Sequence, residues 1–150
     1  MTPTREPGAL AGIRRLLVLV FLLGSVGTGT ELLLLEHTED IWQLVPVLLF
    51  PAALLVLAGY GVSRSAAALR AFRGLMFLFV LSGGLGAWLH YKGNVEFELE
   101  MSPALGGWAL FREAMMGATP SLAPGTMLWL GLIGLAFTFR HPVLRPERTF

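Results

Sequence analysis

At 150 residues, 55% of them apolar and only 14% charged, and with a mean hydropathy of +0.68, the chain is too apolar for an ordinary water-soluble domain. Its zero cysteines exclude disulfides, thiol catalysis, iron–sulfur clusters and thiolate metal sites. The net charge of +1 conceals a strong segregation of sign along the chain and gives no ground for a nucleic-acid partner.

Apolar runs occupy residues 16–35, 41–62, 74–89 and 127–139. With its flanks, each approaches the ~20 residues that cross a bilayer as a helix. The expected spans are about 14–36, 41–62, 72–90 and 123–140, an all-α four-transmembrane-helix bundle forming one integral membrane domain over residues 1–150 with no separate soluble domain. Arg14 and Arg15 ahead of the first run also fit a signal peptide. The run resumes at residues 32–35 after the single Glu31, and Ala-x-Ala spacing is missing, so an uncleaved span is expected. The few residues from 36 to 40 require the first two helices to form a hairpin.

Orientation follows from arginine placement. Nine of the eleven basic residues (Arg5, Arg14, Arg15, Arg64, Arg70, Arg73, Arg140, Arg145 and Arg148) fall in the two tails or the connection between the second and third spans. Eight of the ten acids (Glu31, Glu36, Glu39, Asp40, Glu96, Glu98, Glu100 and Glu113) fall on the other side. The positive-inside rule then places both termini in the cytoplasm. Lys92 is the only lysine, which points to a GC-rich genome and a bacterial inner (cell) membrane.

The loop over residues 91–122 is patterned. Val95, Phe97, Leu99 and Met101 alternate with Glu96, Glu98 and Glu100, the period of a strand with one apolar face. Ser102 and Pro103 read as the cap and first residue of a short interfacial helix reaching Gly117, with Trp108 on its apolar side and Pro120 and Pro124 ending it. A lone strand leaves its edges unpaired, so Val95, Phe97, Leu99 and Trp108 are the expected docking residues for another membrane protein or a second copy of this chain.

Placing Arg14 on Arg73 aligns Gly24 with Gly83, Gly27 with Gly86, and Glu31 with His90 at a constant offset of 59. The pattern reads as a duplicated helical hairpin. The glycines are expected to serve helix packing, because small residues let backbones approach where lipid offers no hydrophobic drive. Glu31 and His90 each end such a stripe. A carboxylate inside a span costs on the order of 2.5–3.5 kcal/mol at mid-membrane and less near its edge, so Glu31 should be protonated, paired or in a wet cavity. Gln43 is its expected hydrogen-bond partner and His90 its expected charge partner. The competing reading of these residues is a polar clamp on the helix ends. His37, Glu36, Asp40 and His90 form a weaker divalent-cation set, without a recognisable ligand spacing. His141 is expected to be an interfacial end residue.

No catalytic triad, metalloprotease motif or phosphate loop is present in a usable context, so the chain is expected not to be an enzyme, and no cofactor is assigned beyond that open divalent-cation set. The first expectation is an accessory or assembly subunit that docks a partner through its outer loop. The alternative is a small cation-binding or proton-linked transport protein with an outer-side site at Glu31 and His90. An enzyme using His37 or His90 as base stands last, for want of a nucleophile.

Overall fold

In lipid a polypeptide must satisfy its own backbone hydrogen bonds, and every regular element among the described residues (8–117 and 123–145 of the computed structural model) is a helix. Arg5, Pro120 and Arg148, used above, lie outside those residues. Helices α1 (Gly8–Leu34), α2 (Ile41–Ser63) and α3 (Ala66–Met101) are each long and apolar enough to cross a membrane. Helix α4 (Gly107–Met116) is short, and α5 (Gly125–Thr138) is apolar but has only 14 residues, shorter than the expected fourth span. The outward faces are apolar, with Leu23 75%, Leu55 73% and Leu81 67% exposed, as lipid contact requires of a chain with these helices.

The turns are built from capping chemistry. Glu36 adopts a left-handed φ of 51° at the end of α1. The Glu36 N–H then donates to the Leu33 carbonyl at 3.2 Å and the His37 N–H to the Leu32 carbonyl at 3.0 Å, closing the helix as a Schellman turn. Asp40 starts α2 by accepting from the Trp42 and Gln43 amides at 2.7 and 2.9 Å. Between α2 and α3 stand only Arg64, left-handed with φ 52°, and Ser65, whose hydroxyl accepts from the Ala68 amide at 3.1 Å.

Helices α1, α2, α3 and α5 close into a ring in which α1 and α3 each pack against both α2 and α5, while α4 lies on α3. The middle of the ring is filled by Phe21, Phe72, Met76 and Phe79, all almost completely buried. Phe21 meets Phe72 edge-on at 5.2 Å, and Phe50 meets Phe79 likewise at 5.1 Å. Cavities open on either side of this aromatic layer, one at the acidic end of the bundle and one at the arginine end.

Several expectations are corrected. Residues 95–101 are not a strand: they continue α3, which is therefore 36 residues long and not confined to 72–90. A strand here would leave both edges without partners, whereas a helix satisfies its own backbone, and Lys92 pairs with Glu96 one turn on at 3.4 Å. Buried Asn94 adds a tertiary anchor, its Nδ2 donating to the Ala114 carbonyl of α4 at 2.9 Å. Helix α4 begins at Gly107, after Gly106, and not at Pro103; Ser102 instead ends α3 by donating its N–H to the Glu98 carbonyl at 2.9 Å.

The glycines divide. A Cβ on Gly83 would lie 2.5 Å from the Leu128 nitrogen, so α3 and α5 touch at the backbone there. Gly86 meets Pro124 and Gly24 meets Leu130, but Gly27 has nothing within 4 Å and packs against no helix. The hairpin repeat is not expressed in this packing. A two-fold relation between the halves would send Gly24 and Gly83 to different neighbours, and both face α5.

Candidate functional site

Helices α1, α2, α3 and α5 and the turn after α1 converge on the acidic-end cavity, whose volume is about 730 Å³. Helix α1 contributes Glu31, the following turn His37, and α3 His90. The rest of the wall is largely apolar, with Leu32, Phe50, Leu85 and Met127 among its residues. Glu31 and His90, aligned in the sequence by a common offset, thus face one shared space. Thr28, one turn before Glu31 on the same stripe, also lines it; the i, i+3 spacing was legible, but a lone threonine in an apolar run carries little signal.

The polar groups around this space differ in what they are already doing. Gln43 does not bond Glu31: its Oε1 accepts from the Glu39 amide at 2.9 Å, while Asp40 accepts from the Gln43 amide. Asp40 therefore caps α2 and Gln43 reaches back to the Glu39 amide, one residue before the capping-box position, a pattern readable in their three-residue spacing. The Glu31 carboxylate has neither hydrogen bond nor ion pair with any described residue. Pro46, also in the wall, has no N–H and cannot donate to the Trp42 carbonyl one turn earlier.

Burial pushes the His37 imidazole below its ordinary value of 6.5, and a positive charge on His90 pushes the same way. Asp40 and Glu39 oppose both. His37 is therefore biased towards its neutral form. Among the described residues no three His, Asp or Glu side chains are placed to hold a metal ion together, and Glu36 is outside the cavity wall, spent on turning the chain. The divalent-cation set of His37, Glu36, Asp40 and His90 gains no geometric support.

The docking residues are dispersed over two helices. Phe97 is 50% and Trp108 75% exposed, while Val95 is half-buried. Trp108 stacks on Phe111 at 5.0 Å, and Leu99 is near the C-terminal end of α3. At the arginine end the structure shows a cluster that sequence reasoning missed. Arg14 donates to the carbonyls of Phe137, Phe139 and Arg140, the last two at 3.1 and 3.3 Å, and so caps α5. His141 is buried, with Nδ1 accepting from the Val143 amide and Nε2 lying 3.3 Å from the Tyr60 hydroxyl. Tyr60 stands near the end of the second apolar run and His141 follows the fourth; the two helices run in the same direction, which places these residues at one depth and was the available signal.

No protein-family model matches this sequence, and neither a curated protein nor a solved structure is significantly similar to it, so geometry alone carries the reading of the site.

Proposed function

We propose that the chain is a small cation-binding or proton-linked transport protein of the cell membrane whose ligand site is the acidic-end cavity. The observation that carries this is the shared cavity of Glu31, His37 and His90, with the Glu31 carboxylate unpaired among the described residues. An uncompensated carboxylate at the rim of a membrane costs free energy unless water, a proton or a cation occupies its surroundings. Apolar wall residues such as Leu32, Phe50, Leu85 and Met127 favour a cation that carries an apolar body, such as a lipophilic organic cation. The His37 and His90 imidazoles line the same space and offer it ring nitrogens.

In this reading α5 is the fourth span. Its 14 residues rise about 21 Å, less than the ~30 Å hydrocarbon core, so its flanks and local thinning make up the difference. The arginine bias sets both termini in the cytoplasm, and the acidic cavity opens outward. The aromatic layer of Phe21, Phe72 and Phe79 separates the two cavities, which fits binding or gated exchange and not an open pore. No catalytic role is proposed.

The test is Glu31→Gln in the full chain reconstituted in vesicles, with tetraphenylphosphonium as the probe. Replacing the carboxylate should lower affinity about tenfold while the melting temperature holds or rises. Unchanged binding together with a lowered melting temperature supports the polar clamp instead.

A second reading, an accessory or assembly subunit, no longer rests on a strand. What favours it is the outer end of α3 with α4, where Phe97, Met101, Trp108 and Met116 are all at least half exposed. Co-extraction of one partner that is lost on changing Phe97 and Trp108 to serine would support it.

A further inference from the structure

We propose that the second cavity, at the arginine end, binds the phosphate of an anionic phospholipid, with the upper part of an acyl chain against its walls. This site is independent of the acidic-end reading. Its volume is about 750 Å³, and it opens between α1 and α2 with Phe137 and His141 at its back. Arg14, Arg15 and Arg64 all line it, and among the described residues no carboxylate does. Arg15 and Arg64 have no ion pair among the described residues, and two such guanidinium groups at one space repel one another unless an anion lies between them.

The groups differ in how much of their bonding is spent. Arg14 holds the end of α5, and the Arg64 guanidinium sits over the Tyr60 ring at 5.7 Å. Arg15 has neither hydrogen bond nor ion pair among the described residues. Because His141 Nδ1 accepts from the Val143 amide, the ring proton is on Nε2 and is donated to the Tyr60 oxygen. The Tyr60 hydroxyl keeps its own proton to give, and no acceptor for it exists among the described residues. One hydroxyl donor and charged, fork-shaped guanidinium donors facing one space suit a phosphate diester.

The remaining wall decides the source of that phosphate. Val18, Leu19, Leu22, Leu54 and Leu57 are apolar and would stay unmatched around a free ion. Leu19 is 55% exposed on the outer surface of α1, so the cavity is continuous with the lipid-facing side. A headgroup in the adjoining leaflet can therefore enter sideways with its chain attached, as basic pockets between membrane helices allow.

The test uses native mass spectrometry of the full chain released from mild detergent with equimolar phosphatidylglycerol and phosphatidylcholine. The wild-type chain should retain phosphatidylglycerol about tenfold more than phosphatidylcholine. Arg15→Gln with Arg64→Gln should bring the two lipids to near parity, and Arg15→Gln alone, at an exposed unpartnered side chain, should give part of that loss even if the double variant fails to fold. Arg70→Gln, an exposed arginine at the same end of α3 but outside the cavity, should change nothing. Equal retention of both lipids by the wild-type chain, or an equal fall in Arg70→Gln, overturns the site in favour of general surface attraction. Displacement of phosphatidylglycerol by inorganic phosphate at the same concentration overturns the lipid assignment.

Discussion

The two ends of the bundle carry opposite charge and use it in opposite ways. At the arginine end, Arg14 is bound to three carbonyls at the end of α5, Arg64 turns the chain and covers Tyr60, and His141 is buried with both ring nitrogens engaged. Charge there closes the helices. At the acidic end, the turn is closed by Glu36, Asp40 and Gln43, which leaves Glu31 in the cavity without a protein partner among the described residues. Structural work and the candidate site are separated at one end and superposed at the other. A carboxylate that nothing in the fold consumes is therefore a better functional candidate than Arg14, which would first have to be relieved of its capping role.

The largest expected effect sharpens this contrast by attacking the frame of the acidic end. Gly83→Ala would drive a methyl into the backbone of Leu128, which cannot move as a side chain tip can, and should cost about 3 kcal/mol. Gly27→Ala, with open space around it, should be close to neutral. Tryptophan-detected melting in mild detergent compares the two, and equal losses would remove the α3–α5 contact as the closest packing of the bundle.

Next in size is the arginine end. Arg14→Ala leaves the Phe137 carbonyl of α5 and the Phe139 and Arg140 carbonyls just beyond it without their charged donor and should cost about 2 kcal/mol, whereas Arg15→Ala should cost little. The same melting assay reads the difference. Similar small losses for both would mean that charge at this end is as idle as Glu31, which breaks the comparison.

A smaller effect belongs to His37. Its folded state is biased to the neutral form, so the unfolded chain takes up a proton first as pH falls below the ordinary value of 6.5. The contribution to stability is present above that value and is lost as pH falls from it towards the lower folded value. His37→Asn should flatten the melting temperature against pH in that window. A wild-type profile that rises on acidification there would contradict the stated cause.

Much of this was legible in the sequence and some was not, for identifiable reasons. The apolar runs located α1 and α2 closely because uninterrupted hydropathy of bilayer length has few other meanings. The Asp40 cap was missed, because Asp40 was assigned to a cation set and Gln43 to Glu31, although their three-residue spacing offered it. Residues 95–101 misled because alternation of Glu with apolar residues satisfies a strand period, while a ladder also needs a partner strand that this short chain does not offer. Gly27 misled because stripe membership fixes a face and not what lies opposite it. The role of Arg14 was hidden because its carbonyl partners lie more than 120 residues away, and backbone acceptors leave no mark in side-chain chemistry.

Because the chain has no cysteine, one introduced thiol reports a single position. In sealed vesicles of known orientation, Glu31→Cys should react with a membrane-impermeant maleimide applied from the side opposite the arginine end. Leu33→Cys, on the exposed apolar face of α1, should stay unlabelled until detergent is added. Failure of Glu31→Cys to react before detergent, or reaction equal to that of Leu33→Cys, would place residue 31 in lipid and contradict a water-accessible site at the acidic end.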